Sequence, residues 1–346
     1  MAGALSKREK ESVVLYRHEK NTSIYLLKGF ACMGVVLIHI PFPGLPGQII
    51  VKAMAFAVPV FCMASGYYAY GRDAATIKRR LIKIVKLFVI GFILDFTCIA
   101  LFAVKEHNFL EWLHKNFNWF SPIKAVCFCI VDFAIPLWYL IGMAETYILW
   151  LYVVKKQKEK SLLRLIPLLF LLQIALTTYC ETRELEIFWR FNFVTRALPW
   201  FLLGYYLHTD DSERLKRIDN WKLVLLAAAG CIIAVVPTLF DLPVKFNCVG
   251  YIPMATGLFV LALKNPSVSK CRRVQFIGEY LSVYIYLIHI VIFRLQGLLA
   301  ESLFAFDIHA DIYLWLRPII TLILSILTAF LIYKITCLIR SRSSDF

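Results

Sequence analysis

The chain has 346 residues, 60% of them hydrophobic and only 18% charged, with a formal net charge of +15. Soluble domains carry about a quarter charged residues and under half apolar ones, so a soluble globular domain is excluded. The apolar excess is concentrated in runs of roughly 18–25 residues, the length an α-helix needs to cross a hydrocarbon core of about 30 Å.

In chain order the runs are Ile24–Ile40, Ile49–Tyr70, Leu81–Val104, Ile135–Val154, Leu162–Tyr179, Phe193–Leu207, Trp221–Phe240, Cys248–Leu263, Phe276–Leu299 and Ile312–Leu338. Phe193–Leu207 is short and contains Arg196 and Pro199, while Leu81–Val104 carries Lys83, Lys86 and Asp95. Backbone polar groups in lipid must be bonded within the protein, and no period-2 alternation points to a barrel, so the runs predict helices. No repeat and no Gly/Ser- or Pro-rich linker divides the chain. The expectation is one all-α membrane domain over 1–346, a polytopic bundle of about ten transmembrane helices. A basic arm over 1–22 precedes it and a short tail over 340–346 ends it.

Basic residues alternate along the chain. They cluster over Lys7–Lys20, Arg72–Arg80, Lys155–Lys160, Arg214–Arg217, Lys264–Arg273 and at Arg340 and Arg342. The intervening connections hold only Lys105, Lys115, Lys124, Arg183, Arg190 and Lys245. The positive-inside rule then places both termini in the cytoplasm, and the alternation agrees with ten spans. The net charge is thereby accounted for by topology beside a lipid bilayer, and no nucleic-acid partner is expected. The first run is too long for a removed signal peptide and lacks a small-residue cleavage site. The ten cysteines show no zinc-like spacing; Cys127 and Cys129 flank one residue, too close for an easy disulfide, and read as small apolar filler.

Ionisable residues within a membrane are costly, which makes each a functional candidate. The first run, NTSIYLLKGFACMGVVLIHI, holds Lys28 and His39, 11 residues apart. That spacing leaves an offset of about 20° around the helix, so both share one face, roughly 16 Å apart along the axis. The alternative has Lys28 snorkelling to the surface and His39 capping the helix end. A shared face favours a joint role, because a lipid-facing pair would bear the desolvation cost twice.

At this point the chain resembles the acyltransferase 3 family of bacterial membrane acyltransferases, typified by polysaccharide O-acetyltransferases. The resemblance covers most of the chain. It rests on Lys28 and His39, on Ser65, Gly66 and Tyr67 in VPVFCMASGYYAY, and on Arg79, Arg80 and Lys83 in RRLIK, where the family has Arg-x-x-Arg. It continues through Trp138 and Glu145 in PLWYLIGMAETY, Arg196 to Gly204, and Ser282, Tyr286 and His289 in LSVYIYLIH. The replacement of the second Arg by Lys83 weakens any bidentate phosphate contact.

The resemblance implies an acyl-CoA donor, acetyl-CoA first among them, a hydroxyl on an extracytoplasmic or lipid-linked glycan as acceptor, no metal, and a place in the bacterial plasma membrane. Physical chemistry fits that. A hydroxyl acceptor needs a general base, and histidine suits neutral pH, so His39 is the expected base. Arg79, Arg80, Lys83 and Lys28 would hold the polyanionic donor. Glu145, mid-span, is either catalytic or a structural partner for Lys28 or Arg196. Arg196, Trp138, Tyr286 and His289 are candidate substrate contacts. Snorkelling, the aromatic belt and a satisfied polar plug are the alternatives for Arg196, Trp138 and His289. Ser65 beside Gly66 reads as close packing rather than a nucleophile. Asp95 and Asp132 receive no role. The connection Lys105–Ala134, with Trp112, Trp119 and Phe120, is a possible amphipathic lid.

Two other functions compete. A transporter would also bury Lys28, His39, Glu145 and Arg196. It needs no CoA-phosphate site, however, and usually has related halves, which this chain lacks. The membrane part of an amino-acid racemase system resembles the same family, and the lack of a fused soluble domain counts against it. The acyl group, the acceptor and the oligomeric state are left open.

Overall fold

A computed structural model describes residues 21–209, 213–267, 270–304 and 310–343. The basic arm with Lys7, Arg8, Lys10, Arg17 and Lys20 lies outside the described residues. Among those described, the regular elements are all helical.

The helices are α1 (Thr22–His39), α2 (Gly44–Ala53), α3 (Ala57–Tyr67), α4 (Ala74–Lys105), α5 (Trp138–Lys155), α6 (Ile166–Thr182), α7 (Phe193–Arg196), α8 (Leu198–Tyr206), α9 (Asn220–Leu239), α10 (Asn247–Lys264), α11 (Ser282–Phe304) and α12 (Asp311–Ser343). Shorter helices cover Phe109–Asn116, Ser121–Phe128, Glu159–Leu163, Glu213–Lys216 and Arg272–Phe276. Among the described residues, eight helical segments are long and apolar enough to cross a membrane, with α2 and α3 counted together as Gly44–Tyr67.

The other two expected spans differ from expectation. Leu162–Tyr179 becomes α6, which starts only at Ile166 because Pro167 sits in its first turn, and is 17 residues long. Phe193–Leu207 becomes two helices of 4 and 9 residues, α7 and α8, broken at Ala197. Pro199 supplies the physical reason: it has no N–H to donate back to α7, but it is well placed in the first turn of a new helix. In contrast, α4 is longer than its apolar run. Asp73 caps it by accepting from Thr76 N at 3.1 Å, so the helix begins at Ala74 and carries Arg79, Arg80 and Lys83 in its first turns. The hydrogen bonds from Thr76 hold the Asp73 carboxyl below its ordinary pKa, which keeps the cap charged.

Small residues let the helices approach. A Cβ on Gly66 of α3 would lie 1.8 Å from the Phe201 carbonyl of α8, and one on Gly204 would lie 2.0 Å from the Met63 carbonyl. Those two backbones are in direct contact, as in small-residue packing of membrane helices. Gly230 of α9 and Gly250 of α10 make the same kind of approach.

Hydrogen bonds define two ends of the bundle. At one end Thr22 N donates to Pro266 O at 2.9 Å, His208 Nδ1 meets Tyr67 O at 2.9 Å, and Asn220 donates to Asn265 at 3.1 Å. At the other end Arg190 pairs with Glu181, Lys245 N donates to Thr182 at 3.1 Å, and Asn247 donates to Thr238 at 3.0 Å. Helices α9 and α10 therefore run between the two ends in opposite directions, and α7 with α8 together span from one to the other.

Candidate functional site

Two cavities meet along α1. The first, of about 390 Å³, takes its walls from Lys28, from Ser65 on α3, Arg80 and Lys83 on α4, Tyr139 and Tyr147 on α5, and Tyr286 on α11. Arg80, Lys83, Ile84 and Leu87 all line it, the i, i+3, i+4, i+7 spacing of one helix face. Arg79 is one position out of that stripe and turned about 100° away. It is exposed and donates to Thr76 Oγ1 at 2.9 Å. The Lys28 ammonium lies 5.6 Å from the Tyr25 ring centroid and 6.0 Å from that of Phe61. Tyr286 donates its hydroxyl to the Pro136 carbonyl, and Ser65 donates to Phe61 O at 2.9 Å within its own helix.

The second cavity, of about 500 Å³, is lined by His39, Lys52, Trp138, Gln173, Glu181, Arg190, Arg196 and Arg294 among others. It shares Val35 of α1 and Val58 of α3 with the first. Lys28, Val35 and His39 thus form one stripe of α1 that leads from the first cavity into the second. The helical phase that put Lys28 and His39 on one face is realised as two chambers with a common wall.

Within the second cavity the His39 and His289 rings stand 5.4 Å apart, centroid to centroid, tilted by 43°. His289 is fully buried. Trp138 meets Phe191 edge to face at 4.9 Å, and the Arg196 guanidinium lies 5.1 Å over the same Phe191 ring. Arg196 Nε also donates to the Arg190 carbonyl at 3.1 Å. The α7–α8 break is what brings Arg196 here. Asn192 caps α7 by accepting from Thr195 N at 2.9 Å, and α7 ends at Arg196 itself. Arg190 Nη1 pairs with Glu181 Oε1 at 2.7 Å, and Lys52 Nζ stands 3.8 Å from Glu181 Oε2. An adjoining vestibule of about 620 Å³ shares Lys52, Glu181 and Arg190 and continues to Gln48 and Lys245.

A family model described as an acyltransferase domain, that of the acyltransferase 3 family, matches residues 21–334. The chain belongs to that family. No curated protein and no solved structure matches it.

Seven of this membrane acyltransferase's ten expected site residues line the cavities, and an eighth lies directly behind one wall. Lys28, Arg80, Lys83 and Tyr286 line the first; His39, Trp138 and Arg196 line the second; His289 lies behind His39, its ring tilted to it. Two are elsewhere. Arg79 faces away, for the helical reason given above. Glu145 lines neither cavity: its Oε2 accepts from the Cys129 thiol at 3.2 Å, a partner that neither Lys28 nor Arg196 provides. Burial first, and the adjacent Glu145 second, push the Cys129 thiol well above its ordinary pKa, so it stays protonated and donates. Cys129 reaches Glu145 because its backbone is left-handed, with φ 55° and ψ 24°.

In the Lys105–Ala134 connection the helix Phe109–Asn116 packs beside α4, while Ser121–Phe128 packs against α5 and the Ile187–Arg190 turn. Trp112, Phe117 and Phe133 cluster with Phe92 and Phe96, and only Asp132 and Phe133 reach the second cavity. Asp132 is held by Lys124 at 3.1 Å.

Five charged lining residues of the second cavity had no expected role: Lys52, Asp132, Glu181, Arg190 and Arg294. Lys52 and Arg294 are ionisable groups inside apolar runs, the same signal that singled out Lys28. Glu181 and Arg190 flank a connection and carry no sequence signal beyond their charge.

Proposed function

We propose that this acyltransferase moves an acyl group, acetyl in the first instance, from cytoplasmic acyl-CoA to a hydroxyl of an extracytoplasmic or lipid-linked glycan. The observation that carries the reading is the pair of chambers joined along the Lys28–Val35–His39 stripe. Arg80 and Lys83 would hold the CoA phosphates at the mouth of the first chamber. Lys there supplies a point charge where Arg would supply a fork. The roughly 16 Å from Lys28 to His39 is a distance that an extended pantetheine arm covers. The thioester would then sit beside His39. His39 takes the proton of the acceptor hydroxyl as its oxygen attacks the thioester carbonyl, and the C–S bond breaks with the proton passing to the departing CoA thiolate.

In this reading the protein lies in the bacterial plasma membrane with about ten crossings and both termini cytoplasmic. The opposite directions of α9 and α10 between two ends, with Arg80 and Lys83 at the Lys28 end, support that arrangement. So does the basic-residue asymmetry. Membership of an acyltransferase family weighs against transport as the function.

Acetyl-CoA should raise the melting temperature of the full chain in detergent, because a ligand that binds only the folded state stabilises it in proportion to its saturation. No shift with either acetyl-CoA or CoA would overturn the reading.

A further inference from the structure

We infer that the acceptor carries an oxyanion, a carboxylate or a phosphate, which binds the Lys52–Arg190–Arg196 cluster beside His39. The inference rests on the acyl-transfer reading and adds the chemical class of its acceptor.

Glu181 is the one carboxylate this cluster offers to three cations: Arg190 at 2.7 Å, Lys52 at 3.8 Å, and Arg196 with no paired carboxylate among the described residues. Asp132, the other acid on the cavity wall, is already taken by Lys124. Side chains of Lys52, Glu181 and Arg190 are only 23%, 13% and 25% exposed, so water does little to offset the excess positive charge. Desolvated cations without partners are costly, and a fixed excess of them is an anion site.

Unmet hydrogen-bonding capacity points the same way. The buried donor Arg190 Nε has no protein partner, nor do the acceptors Gln173 Oε1 and Glu181 Oε2, and Gln173 is 2% exposed on the wall of the same cavity. An oxyanion would accept from the guanidinium groups, while a neighbouring sugar hydroxyl would donate to Gln173. Trp138 and Phe191 form an aromatic corner next to Arg196, suited to the apolar face of a sugar ring. The cluster also lines the larger vestibule, so a substrate entering by that route meets the cations before it reaches His39.

Three probes test this on the full chain in detergent, read by tryptophan fluorescence: methyl glucuronide, glucose 1-phosphate and uncharged methyl glucoside. At low salt at least one anionic probe should bind about tenfold tighter than the glucoside, as charge-assisted contacts require. The glucuronide arm identifies a uronic-type acceptor and the phosphate arm a glycosyl-phosphate one. Added salt should erode the preference in the wild-type protein, which keeps the test independent of any variant's folding. Arg196→Gln and Lys52→Gln should each reduce the preference while the acetyl-CoA thermal shift persists. Equal binding of all three probes, or an anion preference indifferent to both salt and Arg196→Gln, overturns the inference. Displacement of the anionic probes by acetyl-CoA through shared charge also overturns it, by assigning the cluster to the donor. If these fail while acetyl-CoA still stabilises the protein, acyl transfer stands; loss of that stabilisation removes the reading beneath the inference.

Discussion

His39 and His289 lie with ring centroids 5.4 Å apart and planes tilted by 43°, and the hydrogen bonds of His289 determine what it offers to His39. Its Nδ1 faces two carbonyls, Tyr286 O at 2.8 Å and Ile285 O at 3.2 Å. Carbonyls only accept, so Nδ1 carries the proton and Nε2 presents a lone pair that is buried without a protein partner. A lone pair there favours the His39 tautomer whose N–H points toward His289 and whose other nitrogen is open as a base.

The consequence is a graded loss. His39→Ala should lower acyl transfer by about 10²–10⁴, the contribution of a general base, with the protein still folded and inserted. His289→Ala should lower kcat less and leave acetyl-CoA affinity unchanged. His289→Gln, which keeps an acceptor, should recover part of the loss, whereas a purely structural histidine would show no such recovery. CoA release from acetyl-CoA is the assay. Activity of His39→Ala within a few-fold of wild type would remove it from the base role.

Helical phase separates Arg79 from its neighbours, and that difference is measurable. Arg80→Gln and Lys83→Gln should weaken CoA binding, and more salt should weaken it further, because the contacts are charged and close to water. Arg79→Gln, whose side chain turns to Thr76, should change it little. Thermal-shift titration with CoA on the three variants decides; an Arg79 effect equal to that of Arg80 would contradict the assignment.

What the sequence revealed follows from the reach of each signal. Lys28 and His39 were legible because a single helix fixes their phase. Ordered motifs on different helices singled out Trp138, Arg196, Tyr286 and His289, which lie on or just behind the cavity walls. Charge alone does not say which way one turn faces, so the sequence could not separate Arg79, turned to Thr76, from Arg80 on the cavity wall. The Cys129 partner of Glu145 was not legible, because it depends on a left-handed backbone at Cys129. The Lys52–Glu181–Arg190 cluster was illegible, since it joins residues from distant parts of the chain through folding alone. The break at Ala197 was half legible: Pro199 and Arg196 marked the run as irregular, but not as two helices.

Packing gives a stability test. Gly66→Ala places a methyl 1.8 Å from the Phe201 carbonyl, a contact with backbone that cannot swing aside. Overpacking of this kind costs about 1–3 kcal/mol, so the variant should melt earlier than wild type. Ala64→Gly, which adds no atoms at the same helix pair, is the control for local helix propensity, and a Gly66→Ala protein as stable as wild type would deny the close approach of α3 and α8.

Sidedness follows from the positive-inside asymmetry and the span lengths. Cysteines introduced at Gln48 and Ala310, in a background without competing thiols, should react with an impermeant reagent from outside. Those at Ala74 and Gln157 should react only once the membrane is opened. Labelling of Ala74 from outside would invert the topology and end the donor-threading proposal.

The most direct test of acyl transfer to a glycan is mass spectrometry of the host's extracytoplasmic glycans with the gene intact, deleted, and carrying His39→Ala. An acyl substituent is expected with the intact gene and is expected to be absent in both of the others, with the His39→Ala protein still found in the membrane. Glycans identical in all three strains, or fully acylated in the His39→Ala strain, would contradict acyl transfer through His39.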